Sequence, residues 1–190
     1  MTADAASGPR FAVFCGAHVG HRAPYRRMAP TLAAAIASAG GTLVYGGAQV
    51  GLMGELADSC LAVGVPIVGI IPSFLVQAEV AHRGLDDLRI VASMGERKEA
   101  MMELADVVVT LPGGLGTLDE LLEVLTLNQL GRRRLPCGLL DAEDFWAPLM
   151  SLLDRAHTDG FVATPPARLV TVDTNPQSLL SALLAQVSVS

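Results

Sequence analysis

The sequence is poor in lysine, and this shortage disfavours two classes of enzyme. Lys98 is the only lysine among the 190 residues, so a phosphate-binding P-loop of the G-x-x-x-x-G-K-[ST] type has no candidate lysine. Pyridoxal-phosphate chemistry also needs a lysine for its Schiff base, and Lys98, which lies inside a predicted helix, would have to supply it. Both chemistries are therefore disfavoured.

Cysteines are few and do not form a pattern. Cys15, Cys60 and Cys137 are widely separated and odd in number, which indicates neither a disulfide framework nor a zinc site. His18 and His21 have no acidic residues at ligand spacing beside them, so we predict no metal site. Free thiols are typical of a reducing compartment, and we predict a cytoplasmic location.

Long apolar runs and an excess of basic charge are missing as well. The longest apolar stretch, Leu61 to Val76, is interrupted by Pro66 and Pro72 and is too short to cross a bilayer. Residues 1–9 contain an acid and no apolar core, so we expect a flexible tail rather than a signal peptide. The net charge of -6 and pI of about 5.1 offer no attraction to nucleic acid polymers.

What the sequence does have is a large apolar fraction arranged in alternating patterns. With 51% hydrophobic residues, residues 10–190 are enough for one domain with one core. Short aliphatic runs alternate with longer segments of helical period, which predicts an α/β fold: a doubly wound, mostly parallel sheet of about seven strands with helices on both faces. The predicted strands are Phe11 to Cys15, Thr42 to Tyr45, Ile67 to Ile71, Leu88 to Val91, Val107 to Leu111, Cys137 to Leu140 and Leu169 to Val172. The predicted helices are Pro24 to Ala39, Leu52 to Val63, Met94 to Ala105, Thr117 to Leu130, Phe145 to Asp159 and Pro176 to Gln186.

Glycine clusters follow three of these strands. They read FCGAHVG after the first strand, VYGGAQVGLMGE after the second and LPGGLGTLDE after the fifth. Glycine lets the backbone approach a ligand, and a helix N-terminus attracts anions, so the clusters predict a phosphate pocket at the carboxyl edge of the sheet. The first cluster lacks the G-x-G-x-x-G spacing, and Gly46 stands where a ribose-binding acid is expected, which disfavours a nicotinamide cofactor. The long segment Pro72 to Asp87, read without a helix, is a further candidate for a functional loop.

Glu120 has two interpretations. Thr117 and Glu120 match the [ST]-x-x-[DE] capping box, in which Glu120 only caps a helix. In the second interpretation its carboxylate, one turn into a helix beside a phosphate loop, faces the sugar of a bound nucleotide. Arg97 lies on the apolar stripe of its helix and needs an anionic partner there, which is either Glu120 or the substrate.

The stretch SMGERKEAMMELADVVVTLPGGLGTLDELLEVLTLNQLG resembles the LOG, or Lonely Guy, family of phosphoribohydrolases, whose signature is PGGxGTxxE. The resemblance continues through VFCGAHVG, VYGGAQVGLMGELAD, GIIPSFLVQAEVAH and PCGLLD, and so covers Phe11 to about Leu183. It implies a Rossmann-like fold, a homodimer, and hydrolysis of cytokinin riboside 5'-monophosphates, and often AMP, to the free base and ribose 5-phosphate. No cofactor is expected.

The resemblance also implies site residues. The family's catalytic pair falls on Arg97 and Glu120, and its nucleotide contacts fall on Glu79, Lys98, Gly113, Gly114, Gly116, Thr117 and Thr126. The chain departs from the family at Ala17 and His18, where serines are common, and at Ala48, where a third glycine is common. The alternative is a non-catalytic carrier of a nucleotide or of the molybdenum cofactor with the same fold, which has no need of the catalytic pair.

Overall fold

The computed structural model describes residues 8–78 and 80–187, which form one seven-stranded sheet between two layers of helices. The strands are β1 (Arg10–Phe14), β2 (Thr42–Tyr45), β3 (Ile67–Pro72), β4 (Asp87–Val91), β5 (Val107–Thr110), β6 (Cys137–Leu140) and β7 (Thr171–Asp173). The helices are α1 (Ala23–Ser38), α2 (Gly51–Ala62), α3 (Ser73–Gln77), α4 (Met94–Leu104), α5 (Leu115–Gln129), α6 (Ala147–Thr158), α7 (Pro166–Leu169) and α8 (Pro176–Val187).

The strand order is β4-β3-β2-β1-β5-β6-β7, and every neighbouring pair is parallel. The predicted doubly wound parallel sheet is therefore confirmed. The order runs outwards from β1 to β4 and then resumes on the other side of β1 with β5. In such sheets a crevice opens beyond the carboxyl ends of the strands where the order reverses, which here lies between β1 and β5.

The strands are apolar on both faces because both faces are covered. In β1, Phe11 and Val13 point into a core formed with α1, α2 and α8, whereas Ala12 and Phe14 point into a second core formed with α4, α5 and α6. Successive side chains of a strand alternate between faces, so a strand buried between two helical layers loses the usual polar alternation. This explains the continuous aliphatic runs in the sequence.

The predicted elements need corrections at the last strand, in the segment Pro72 to Asp87 and at the starts of α5 and α6, since α6 begins at Ala147 rather than at Phe145. The sequence predicts the last strand at Leu169 to Val172, but residues Pro166–Leu169 form the short helix α7 and the strand is Thr171–Asp173. Proline at the start of a helix suits the fixed φ of its ring, which explains this turn. The segment Pro72 to Asp87 contains the short helix α3, and α5 begins at Leu115 rather than at Thr117.

Two of the predictions concern residues that lie wholly or partly outside the described part of the chain. Residues 1–7 of the predicted tail, and Glu79, lie there. Pro9, at the end of that tail, accepts a backbone hydrogen bond from Thr42 at 2.9 Å. Among the helices described, none is long and apolar enough to span a membrane.

Candidate active site

A cavity of about 420 Å³ opens at the carboxyl edge of the sheet, where the strand order reverses. Its walls come from residues 15–20 after β1, residues 112–117 after β5, two residues each of α2 and α4, and one residue each of α1, the second turn of α5 and the segment after β6. The volume is that of a site for a small organic ligand. The cavity lies beyond the strand ends, where the sequence predicts a phosphate pocket.

The glycine segment after β5 forms one wall of the cavity and leads into α5. Gly114 is the N-cap residue and has no side chain to cap the helix. The first intrahelical hydrogen bond is donated by the amide of Leu118 to the carbonyl oxygen of Gly114 at 3.1 Å, so the preceding helical amides have no partner within the helix. A Cβ atom on Gly113 would lie 2.1 Å from Oγ1 of Thr117. The segment is therefore a bare helix N-terminus, which favours a bound anion.

The loop after β1 packs directly against this segment. The amide of Gly16 donates a hydrogen bond to the carbonyl oxygen of Pro112 at 3.2 Å, and a Cβ atom on Gly16 would lie 3.3 Å from Cα of Gly113. Glycine is required here because two backbones approach closely. The two loops together form one wall of the cavity.

The capping-box interpretation of Glu120 is wrong. Because α5 begins at Leu115, Thr117 is its third residue and Glu120 its sixth, and the first turn contains no acidic residue. The side chain of Glu120 is only 8% exposed and lines the cavity. Its carboxylate is therefore free of any capping role.

Arg97 holds a fixed position beneath the cavity. Its Nε donates to the carbonyl oxygen of Ile70 at 3.2 Å, and its Nη2 donates to the carbonyl oxygen of Gly46 at 3.1 Å. Its Nη1 lies 3.3 Å from Oε1 of Glu120, and both side chains are buried. The planar guanidinium thus contacts the backbone of β3, the residue that follows β2 and one carboxylate at the same time, which an ammonium group cannot do.

The sulfur atoms of two methionines flank this guanidinium. Sδ of Met53 lies 3.7 Å from Nη2, and Sδ of Met94 lies 3.9 Å from Nη1 of Arg97. Both methionines line the cavity. The two thioether groups therefore form the apolar surroundings of the guanidinium at the cavity wall.

Gly46 makes the position of Arg97 possible. A Cβ atom at residue 46 would lie 1.5 Å from Nη2 of Arg97, so any other residue would displace the guanidinium. The glycine after β2, which in the sequence only disfavoured a nicotinamide site, is thus a requirement of the ion pair.

Burial changes the acidity of the groups around this pair. Burial raises the pKa of Glu120 from 4.5 to about 7, and the charge of Arg97 opposes the rise. The thiol of Cys15, which lines the cavity, has a raised pKa through burial and through the charge of Glu120. Near neutral pH the cavity therefore contains a neutral thiol and a carboxyl group able to take or release a proton.

The other predicted site residues divide into two groups. Gly113, Gly114, Gly116 and Thr117 line the cavity. Lys98 and Thr126 line a separate, shallower depression between α4 and α5, where Lys98 forms ion pairs with Asp119 at 2.9 Å and with Glu123 at 2.7 Å. The structure does not bring these two residues to the cavity.

The predicted departures from the family pattern are also divided. Ala17 and His18 line the cavity. Ala48 is buried away from the cavity and forms an isolated bridge with Ala81. In the described part of the chain, no three His, Cys, Asp or Glu residues are grouped to hold a metal ion.

Sequence reasoning missed several residues of the site. Tyr25, Met53 and Phe145 line the cavity, and Gly46 anchors Arg97. Phe145 and Gly46 follow the ends of β6 and β2, so their place after a strand was a usable signal. Tyr25 and Met53 lie on helices that reach the cavity only through tertiary packing, and no local pattern marked them.

Comparison with known proteins shows which family the chain is similar to. Residues 53–183 match a family model described as possible lysine decarboxylase. The chain is 46% identical over 157 residues to a cytokinin riboside 5'-monophosphate phosphoribohydrolase of Rhodococcoides fascians, a match that covers 82% of this chain and 79% of that protein. It is 39% identical over 163 residues to the cytokinin riboside 5'-monophosphate phosphoribohydrolase LOG1 of Arabidopsis thaliana, covering 86% of this chain and 76% of that protein.

Solved structures with the same fold include two molybdenum cofactor proteins. The molybdenum cofactor carrier protein of Chlamydomonas reinhardtii superimposes with a TM-score of 0.72 at 20% identity, covering 96% of this chain and 99% of that one. The molybdenum cofactor binding protein of Rippkaea orientalis gives a TM-score of 0.70 at 21% identity, covering 94% of this chain and 96% of that one. At this identity the likeness concerns the fold alone.

Proposed function

Because the chain belongs to the LOG family, whose model is described as possible lysine decarboxylase, we propose that it is an enzyme that hydrolyses the N-glycosidic bond of cytokinin riboside 5'-monophosphates, and of AMP. Water adds to C1' of the ribose, and the products are the free base and ribose 5-phosphate. One observation carries the proposal: the buried ion pair of Arg97 and Glu120 lies in a cavity that begins at a bare helix N-terminus.

The 5'-phosphate is assigned to the segment Gly113 to Thr117. The free amides at the start of α5 would donate to its oxygens, and the helix dipole favours its charge. Binding at this point fixes the distance from the phosphate to the ribose, so C1' is positioned before the reaction begins. Lys98 and Thr126, which lie in the neighbouring depression, and Glu79 stay predicted nucleotide contacts.

Glu120 is assigned to the reaction at C1'. As the bond to the base breaks, its electrons stay on the departing nitrogen, which takes up a proton, and positive charge develops on the ribose ring. A carboxylate beside the ring stabilises this charge and accepts a proton from the attacking water. Arg97, anchored by the carbonyl groups of Gly46 and Ile70, would keep the carboxylate at that position.

Two other functions receive less support. Decarboxylation of lysine through a Schiff base would use Lys98, which is engaged by two carboxylates outside the cavity. A molybdenum cofactor carrier shares the fold, but a carrier has no use for a buried carboxylate whose pKa is raised to about 7.

We also propose a cytoplasmic homodimer. Leu115 and Leu122, two turns apart on α5, are exposed at 86% and 42%, and a second copy would cover them.

The experiment that tests the function is chromatographic. Purified protein is incubated with AMP and, separately, with N6-isopentenyl-AMP, and free base and ribose 5-phosphate are measured. Release of both products from either nucleotide supports the hydrolase, and the ratio of the two rates gives the preferred base. A protein that binds both nucleotides and releases neither base would contradict the proposal and favour a carrier.

The pH dependence of the reaction should follow the ionisation of Glu120. Its carboxylate is the active form, and its pKa is about 7, so kcat/KM is expected to fall as the pH decreases through about 7. The substrate phosphate also ionises, near pH 6. The residual activity of Glu120→Gln is therefore the control, because its pH profile should show only the decrease near pH 6 that the phosphate causes. A wild-type profile without a limb near 7 would contradict the assigned role.

Gly46→Ala should weaken catalysis without touching the substrate. The new Cβ atom would occupy the place of Nη2 of Arg97, so we expect at least a tenfold lower turnover and a loss of about 1–3 kcal/mol of stability. Gly95→Ala is the matched control on α4, because its Cβ atom would have only Oγ of Ser93 nearby, at 3.7 Å. Urea denaturation and base release measure the two effects, and equal activity of both variants would contradict the anchoring role of Gly46.

A further inference from the structure

A pair of aromatic side chains closes the cavity at its β6 end and has no role in the proposed reaction. Tyr25, in the first turn of α1, and Phe145, just after β6, both line the cavity. Their ring centroids are 5.9 Å apart, and the rings meet edge to face at 79°. Phe145 also packs edge to face against the buried Trp146 at 4.9 Å. We call Tyr25 and Phe145 the aromatic wall.

The backbone that carries Phe145 is strained. Glu143 and Asp144 have φ angles of 58° and 54°, and in the described part of the chain they are the non-glycine residues with positive φ. This left-handed region is disfavoured for L-residues, and such strain persists where the surrounding structure enforces it. Nη1 of Arg22 lies 3.0 Å from Oε2 of Glu143 and joins the strained turn to the residue before α1. The aromatic wall is therefore held from both sides.

The order of the strands places this wall beyond the proposed phosphate position. Arg97 is anchored at the ends of β2 and β3 and contacts Glu120. The glycine segment follows β5, and Phe145 follows β6, which is the next strand outwards. Neighbouring strands are about 4.8 Å apart, so the ion pair, the glycine segment and the aromatic wall follow one another along the sheet edge.

A nucleotide bound in this order would point its phosphate at the wall. If its phosphate contacts the glycine segment and its C1' lies beside Glu120, the free oxygens of the phosphate face Tyr25 and Phe145. A second phosphate would have to occupy the space of the two rings. The rings of Tyr25 and Phe145 pack against each other, and Phe145 packs against the buried Trp146, so the rings cannot make room for a further phosphate without losing these contacts.

We propose that Tyr25 and Phe145 are specificity-determining residues that end the site after one phosphate and so exclude nucleoside diphosphates. The inference rests on the proposed function, because that function supplies the position of the phosphate. The aromatic wall acts on the length of the phosphate chain and leaves the bond cleavage to Arg97 and Glu120.

The test compares AMP with ADP as substrates. The wild type is expected to release base from ADP at least about a hundredfold more slowly than from AMP, because a second phosphate stopped by the wall displaces C1' from Glu120, and misplacement of about 1 Å is enough for such a loss. Phe145→Ala and Tyr25→Ala should each raise the ADP-to-AMP ratio of rates at least tenfold, whereas Phe145→Tyr, which keeps the ring, should retain the wild-type ratio. Phe161→Ala is the matched control, because Phe161 is 84% exposed and does not line the cavity.

Equilibrium binding separates this inference from the proposed function. Calorimetry with AMP and ADP in the Glu120→Gln background, with and without Phe145→Ala or Tyr25→Ala, needs no hydrolysis. A rise of at least tenfold in relative ADP affinity would support the wall even if no nucleotide is ever cleaved. An unchanged ratio in both alanine variants, with folding verified by thermal unfolding, would overturn the wall even if AMP is hydrolysed. Equal use of AMP and ADP by the wild type would also overturn it.

Discussion

Glu120→Gln is expected to lower the rate of base release at least about a hundredfold, because the amide can neither stabilise the developing positive charge nor accept a proton from water. The loss should appear in kcat, since the carboxylate is assigned to the bond-breaking step and the phosphate is assigned to the glycine segment. The measurement is the chromatographic assay with AMP. A variant that keeps wild-type kcat would remove Glu120 from the mechanism.

The same variant should be at least as stable as the wild type at alkaline pH. The pKa of Glu120 is about 7 in the folded protein against an ordinary 4.5, so the folded state binds the extra proton between these values. Stability therefore falls as the pH rises from about 4.5 to 7, by up to roughly 3 kcal/mol. Glutamine avoids this cost. We expect the melting temperature of Glu120→Gln to exceed that of the wild type at pH 8, and the difference to shrink at pH 5.

These two readouts distinguish a catalytic carboxylate from a structural one. If Glu120 mainly stabilised the fold through Arg97, the glutamine variant would melt at a lower temperature at pH 8, and its remaining folded fraction would keep the specific activity. Loss of activity together with unchanged or higher stability is the result expected of a group kept charged in a buried site at a cost to folding.

Arg97→Lys is expected to lower kcat by about a hundredfold although it keeps the positive charge. The guanidinium donates hydrogen bonds to the carbonyl groups of Gly46 and Ile70 and forms an ion pair with the carboxylate of Glu120. An ammonium group is a point charge and cannot contact three partners that are arranged around a planar guanidinium. The carboxylate would then lose its fixed position relative to C1', and misplacement of about 1 Å is enough for such a loss.

Arg97→Met supplies the matching test of charge. Without the guanidinium, burial acts on Glu120 unopposed, so the pH limb assigned to its pKa should move above 7, whereas in Arg97→Lys it should stay closer to the wild-type position. The double variant Arg97→Met with Glu120→Gln should lose little more activity than either single variant, because the two residues act as one unit. Additive losses, or a lysine variant with nearly full kcat, would contradict the anchoring role of Arg97.

The shape of the chain was predictable because it depends on local patterns. Runs such as Val107 to Leu111 are too short and too apolar for anything but a buried strand, and six of the seven predicted strands overlap the observed ones closely. The prediction of the last strand was wrong because Pro166 and the residues after it form a turn of helix. A proline before an aliphatic pair is compatible with a helix start and with a strand. Family membership was also present in the sequence, in the signature from Pro112 to Glu120.

The role of each site residue depended on where helices begin and end. The predicted start of α5 differs from the observed start by two residues, and this difference decides whether Glu120 caps the helix or is buried. Helix boundaries are set by tertiary contacts that no local pattern contains. The same limit applies to Lys98, which neighbours Arg97 in sequence but points into another depression, because successive residues of a helix face about 100° apart.

The sequence by itself determined the fold class and the identity of the glycine segment, and it predicted a site at the carboxyl strand ends, since each follows from spacing along the chain. Only the tertiary structure decided which anion Arg97 meets, why residue 46 is glycine and how Tyr25 and Phe145 close the cavity. These contacts join residues from different strands and helices, and they are specified by packing between elements rather than by any periodicity within one.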